Sequence, residues 1–261
     1  MKRKAKKLGF ALGAGGSRGV AHIGFLQAMG ENGIKPDYIS GCSMGSVVGA
    51  AYAAGLAPKE IMAAIKKLRL LDLMHLSRRA GGLFDTQKIR DLLVRYLGDI
   101  SFEELKIPFS CVAVDLYTQE IVEFKTGSVV DAVVASSAIP AVFKPTEKEG
   151  MRLVDGGVLE RVPARFVKDM GADKVVAVDV LGYRECTKKC PRMLGMLLQV
   201  IDVMDNYRTM RRREESGKDI DLWIEPELKD MNPYSLKQIG FAYGKGYQSG
   251  EKYAKEIKAL I

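Results

Sequence analysis

Short apolar runs of strand length alternate with longer stretches of helical periodicity along most of the chain. Lys7 to Leu12 reads as a strand entering Gly13-Ala14-Gly15-Gly16-Ser17-Arg18-Gly19, and a helix follows from Val20 to Glu31. Asp37-Tyr38-Ile39 is extended and leads into Gly41-Cys42-Ser43-Met44-Gly45, after which Ser46 to Ala54 is a small-residue helical run. Phe109 to Leu116 and Ile121 to Phe124 read as strands joined by a turn at Tyr117-Thr118-Gln119, Met151 to Val154 is a short strand, and Val175 to Val180 is a strongly apolar one.

Helices fill the intervals. Pro58 opens one that runs to about Arg69, Thr86 to Leu97 and Val129 to Ser137 read as two more, and Pro163 opens another ending near Met170. Leu, Met and Val recur at helical spacing from Pro191 to Glu215, and a last helix spans Leu236 to Leu260. Between Ala138 and Pro145, Pro140 and Pro145 stiffen an apolar loop suited to wall a hydrophobic site. The alternation predicts an α/β fold of three layers, a mainly parallel central sheet with helices on both faces. No internal repeat interrupts the 261 residues, so one domain is expected over 1–261, with its motifs between about 7 and 170 and a C-terminal strand and helices from 171 to 261 completing it.

Composition narrows the class. No apolar run approaches the ~18 residues of a membrane span. The net charge of +8 suits either simple solubility or an anionic surface, and nucleic acid is not expected because no basic-aromatic module accompanies the charge. Leu70 to Arg79 mixes bulky apolar with basic residues ahead of Gly81-Gly82, so 70–82 reads either as a mobile cap touching lipid or as an ordinary connector. Four cysteines, Cys42, Cys111, Cys186 and Cys190, are too sparse for a disulfide framework and point to a cytoplasmic chain, with peripheral membrane contact as an added expectation. Cys186 and Cys190 form half of a metal motif that no second pair completes, so neither metal nor cofactor is expected.

Two segments carry chemistry. Gly-x-Ser-x-Gly between a strand and a helix is a sharp turn in which Gly41 and Gly45 remove obstructing Cβ atoms and Ser43 occupies the apex at a helix N-terminus. Ser43 is the candidate nucleophile; the alternative is a structural turn. The glycine loop before Val20 exposes backbone N–H groups that suit a phosphate or an oxyanion. Ala14 breaks a literal Gly-x-Gly-x-x-Gly, and both the ribose-binding carboxylate and the Walker lysine are missing, so the oxyanion reading is the better one.

A serine needs a base. His22 lies within the helix after the glycine loop and His75 in the loose segment, neither at a strand end, and both read as structural. Asp155 follows a strand and precedes Gly156-Gly157; it is either a base whose pKa an apolar pocket would raise or a solvated Asp-Gly turn.

Taken in order, the glycine loop with Ser17-Arg18-Gly19, Gly41 to Gly45, Ala135-Ser136-Ser137-Ala138-Ile139-Pro140-Ala141-Val142-Phe143-Lys144-Pro145 and Asp155-Gly156-Gly157 resemble the bacterial patatin-like phospholipases over about the first 170 residues. The resemblance implies a patatin-like fold and a lipid acyl hydrolase of the phospholipase A or esterase type. Its dyad would be Ser43 as nucleophile and Asp155 as general base. Gly15, Gly16, Ser17 and Arg18 match the oxyanion loop, in which Ala14 replaces a glycine common in the family. The implied partner is a lipid or other acyl ester. Acyl transfer on the same dyad, or a non-catalytic membrane-surface module of the same fold, are the alternatives; oligomeric state is not indicated.

Overall fold

The computed structural model describes residues 6–67, 86–182, 193–215, 217 and 219–261. Segment 70–82, Cys186 and Cys190, read above as a cap or connector and as half a metal motif, lie outside the described residues. Eight strands form one sheet: β1 (Leu8–Leu12), β2 (Tyr38–Gly41), β3 (Phe109–Asp115), β4 (Glu120–Phe124), β5 (Thr146–Lys148), β6 (Met151–Asp155), β7 (Lys174–Val178) and β8 (Leu222–Ile224). The described helices are α1 (Val20–Glu31), α2 (Met44–Ala53), α3 (Pro58–Lys67), α4 (Gln87–Leu97), α5 (Val129–Ser136), α6 (Ala164–Asp169), α7 (Met193–Glu215) and α8 (Ile239–Leu260).

The sheet order is β5-β6-β3-β2-β1-β7-β8, with β4 paired to β3 outside this path. The β3-β2-β1-β7-β8 part is parallel, while β4, β5 and β6 are antiparallel additions. The expected three-layer α/β architecture is therefore present, with a mixed margin on one side. Strands β5 and β8, which the sequence pattern did not separate from loop, are three residues each.

Strand β1 shows why the central strands read as unbroken apolar runs. Leu8, Phe10 and Leu12 enter the main core with α1 and α2, while Ala11 enters a second cluster with Val167 of α6 and Val175 and Ala177 of β7. Both faces are covered, so neither set of alternate residues is free to be polar. Helix α8 closes over α1 so tightly that a Cβ on Gly246 would fall 1.8 Å from the Ala21 carbonyl oxygen. At α5, Ser128 caps the first turn by accepting a hydrogen bond from the Asp131 N–H at 3.3 Å.

One register relationship decides where the chemistry sits. Strand β3 has three partners: β2 opposite Phe109 to Cys111, β6 opposite Ala113 to Asp115, and β4 opposite Cys111 to Asp115. A strand has two edges, and β4 overlaps both of the others, so β2 and β6 must share the opposite edge end to end. Because β2 is parallel to β3 and β6 antiparallel, their C-terminal ends meet. Gly41 pairs with Cys111 and Asp155 with Ala113, only two residues apart along β3, or ~7 Å.

Candidate active site

Ser43 stands just beyond the end of β2 with φ 53° and ψ −124°, a backbone conformation strained for any residue with a Cβ. Such geometry costs on the order of 1–3 kcal/mol and persists only where its surroundings hold it. Here the Ser43 N–H donates to Ser136 Oγ at 3.0 Å, and its carbonyl accepts from Ser46 Oγ at 2.6 Å and from the Val47 N–H at 3.1 Å. Gly45 is required by close approach, since a Cβ there would lie 2.1 Å from the Leu12 carbonyl oxygen. Gly41 serves the same turn, its missing Cβ facing the Ser46 backbone at 2.6 Å. The sharp strand-turn-helix expected from the sequence is thus present, and the Ser43 side chain is held at the mouth of α2.

Asp155 ends β6 and is 6 % exposed. Burial pushes its carboxyl up to about 6, opposed by hydrogen bonds from the Ser43 side chain, the Gly157 N–H and the Cys42 thiol. The Gly157 N–H reaches Asp155 Oδ1 at 2.8 Å and Cys42 Sγ stands 3.7 Å from the same oxygen. Asp155 is therefore a buried carboxyl with a serine beside it, in contrast to the solvated Asp-Gly turn weighed from sequence. Gly156 opens the short 3-10 turn that follows and packs against the Val112 carbonyl.

The glycine loop lies across the cleft from them, and its amides divide into two groups. Gly13 N–H bonds Val178 O at 3.0 Å, Ala14 N–H bonds Arg161 O at 2.9 Å, Ser17 N–H bonds Pro233 O at 2.8 Å and Arg18 N–H bonds Gly15 O at 3.0 Å. The N–H groups of Gly15 and Gly16 have no hydrogen-bond acceptor among the described residues, and both glycines line a cleft with Ser43 and Asp155. Of the four loop residues expected from sequence, Ser17 and Arg18 have their amides committed to the fold, which leaves Gly15 and Gly16 as available donors. Gly16 adopts φ +51°, and a Cβ there would meet the Pro233 carbonyl oxygen at 2.4 Å.

The Arg18 side chain works as a strap. It is 3 % exposed and donates to the carbonyls of Val180 at 2.8 Å, Leu181 at 3.3 Å, Lys229 at 3.0 Å and Met231 at 3.2 Å, tying the loop to two distant segments. His22 is fully buried, and its Nε2 lies 2.8 Å from the Gly13 carbonyl. Burial lowers its pKa to about 4, so it is neutral at neutral pH and must carry its proton on Nε2 to donate to that carbonyl. It supports the loop from behind, in keeping with a structural histidine.

The far wall was not foreseen from sequence. Ile201, Asp202 and Asp205 of α7 face the cleft together with Leu181, Pro233 and Tyr234, while Ile139 and Pro140 of the proline-stiffened loop close another side. Asp205 belongs to a buried cluster: Arg161 pairs with it at 2.9 Å and with Asp179 at 2.7 Å, and Thr209 Oγ1 donates to it at 3.3 Å. Arg161 thus joins the end of β7, helix α7 and, through its carbonyl, the glycine loop. The sequence signal for this wall is Asp202 and Asp205, three apart at the end of the mainly apolar first half of the helix.

Comparison with known proteins identifies the family. A family model described as patatin-like phospholipase matches residues 10–168, and the chain belongs to that family. It is 38% identical over 178 residues to an uncharacterized NTE family protein of Mycobacterium tuberculosis (strain ATCC 25618 / H37Rv), covering 67% of this chain and 49% of that one. It is 31% identical over 186 residues to patatin-like phospholipase domain-containing protein 6 of Homo sapiens, covering 66% of this chain and 13% of that one. The chain therefore spans about half the length of the mycobacterial relative (49%) and a small part of the human one (13%). Among solved structures, VipD from Legionella pneumophila shares the fold with a TM-score of 0.64 at 15% identity, over 97% of this chain and 67% of that one. Human GIVD cytosolic phospholipase A2 does so with a TM-score of 0.51 at 12% identity, over 100% of this chain and 60% of that one.

Proposed function

We propose that the chain is a lipid acyl hydrolase in which Ser43 attacks the ester and Asp155 acts as general base. The observation that carries this reading is the meeting of Ser43 and a buried, weakly acidic Asp155 at the abutting ends of β2 and β6, inside one cleft with the Gly15 and Gly16 amides, which have no acceptor among the described residues. Membership of the patatin-like phospholipase family supports the substrate class.

In the proposed cycle, Asp155 accepts the Ser43 hydroxyl proton as Oγ bonds to the ester carbonyl carbon. The carbonyl oxygen becomes an oxyanion and receives hydrogen bonds from the Gly15 and Gly16 N–H groups. Collapse breaks the bond to the alcohol portion, which leaves with the proton from Asp155. Water then attacks the acyl-serine while Asp155 takes its proton, and the fatty acid departs as Ser43 regains a hydrogen. A single oxyanion donor is worth ~3 kcal/mol, roughly a hundredfold in rate, so the loop matters nearly as much as the dyad.

Turnover of short and long acyl esters by wild type and Ser43→Ala, with products separated in the presence and absence of an added alcohol, tests the assignment. Free fatty acid from wild type alone is expected. Equal turnover by Ser43→Ala would refute it, and acyl ester formed on the added alcohol at the expense of free acid would move the reading to acyl transfer.

A further inference from the structure

Helix α7 is amphipathic in the reverse sense of an ordinary surface helix. Its inward face carries the buried Asp205 and Thr209 and the cleft-lining Ile201 and Asp202, whereas its outward face carries Met196, Leu197, Val200, Val203, Met204 and Tyr207, each 49 % or more exposed. With Met193 and Met210 at the two ends, this face is an uncharged apolar band ~25 Å long that covers about 140° of the helix circumference. A two-helix coiled coil needs only the narrower seam of alternating three- and four-residue steps, here Met193, Met196, Val200, Val203, Tyr207 and Met210, and the exposed Leu197 and Met204 widen the face beyond that seam. A contiguous exposed apolar surface of this size marks an interaction site.

Charge and position indicate the partner. The band ends at Arg208 and Arg211, with the Arg211 guanidinium 5.5 Å from the centre of the Tyr207 ring, and the whole chain carries a net charge of +8. An aromatic and a basic residue bordering an apolar face are the anchors of a helix lying in a lipid headgroup layer, where basic groups meet anionic lipid. The opposite face of the same helix walls the cleft, so anything against the outer face lies within one helix diameter, ~10 Å, of Ser43's cleft.

We propose that the outward face of α7 docks the protein on an anionic phospholipid bilayer, holding the cleft against the lipid from which its substrate is drawn. The substrate part of this inference rests on the hydrolase reading above; the docking part does not.

Sedimentation with vesicles of phosphatidylcholine, with and without phosphatidylglycerol, tests it on wild type, Val200→Glu/Val203→Glu and Val200→Trp. Wild type is expected to bind the phosphatidylglycerol vesicles more tightly and to lose that advantage in high salt. The glutamate variant should bind at least about tenfold more weakly and Val200→Trp more tightly. The glutamate variant should also melt and hydrolyse a water-soluble short-chain ester as wild type does. Unchanged vesicle binding by the glutamate variant would overturn the proposal. So would a lipid-free dimer that the variant turns into monomer, since a second copy would then be the occupant, or a lowered melting point with vesicle binding intact, since the face would then be covered within the chain. Vesicle binding lost in the variant, in a wild type that hydrolyses no ester, would sustain the docking proposal while removing the hydrolase reading.

Discussion

Ser43 and Asp155 are brought together by strands that never pair with each other. Gly41, two residues before Ser43, and Asp155 itself occupy neighbouring positions on one edge of β3, opposite Cys111 and Ala113, one strand arriving from each direction. The arrangement leaves no loop between the two side chains to absorb a misplacement. Their relative position is set by backbone ladder spacing, the most rigid ruler a protein possesses.

The first consequence is a pH profile. Asp155 must be ionised to accept the Ser43 proton, and burial holds its pKa near about 6. kcat/KM on a neutral soluble ester should therefore rise with pH to a plateau, with its half-point near about 6 rather than at the ~4 of a solvated carboxylate. A rate flat from pH 4.5 to 8 would exclude this base.

Stability should move the opposite way from activity at the same residue. A carboxyl whose folded pKa lies above its unfolded value stabilises the fold only while protonated, so ionised Asp155 weakens the native state as pH rises through about 6. Asp155→Asn removes that charge. Denaturant unfolding should show the variant more stable than wild type by about 1–3 kcal/mol at pH 8, the difference vanishing below pH ~4, while ester turnover falls by a hundredfold or more.

Arg161 answers two buried carboxylates. Replacing it by Met leaves Asp179 and Asp205 without their cation, a situation that costs ~3–5 kcal/mol. Arg161→Met is expected to unfold at correspondingly lower urea concentration, and Arg161→Lys should recover only part of the loss, because one ammonium does not reproduce the fork that reaches Asp179 through one terminal nitrogen and Asp205 through the other.

Gly16→Ala separates loop geometry from the dyad. The new Cβ would press on the Pro233 carbonyl and strain a backbone at φ +51°, displacing one of the two available amides. kcat should fall on the order of a hundredfold with little change in KM, and the folded fraction by circular dichroism should stay near wild type.

The local parts of the site were legible in the sequence because each is written in a few consecutive residues. Gly41 to Gly45 can only be a tight turn in that strand and helix setting, and Asp155 is flanked by residues that force a turn after a strand. Their juxtaposition was not legible, because it depends on β6 running against β3 and stopping where β2 stops, a register set by pairings about forty residues apart for β6 with β3 and seventy for β2 with β3. Strand β8 escaped notice because Leu222-Trp223-Ile224 is too short to show a period. Arg18 read as part of an anion-binding loop, whereas its side chain is spent on four carbonyls. Helix α7 was legible as a helix, but its apolar spacing gives no sign that Met196, Val200 and Val203 face outward while Asp205 faces in.

The most direct measurement is reaction of the purified protein with a fluorophosphonate, followed by mass spectrometry of the modified peptide, in wild type, Ser43→Ala and Asp155→Asn. One phosphonyl group on Ser43 in wild type, none in Ser43→Ala and a strongly slowed reaction in Asp155→Asn are expected. Modification of another residue, or equal labelling of a folded Asp155→Asn, would contradict the assignment of Ser43 as a nucleophile activated by Asp155.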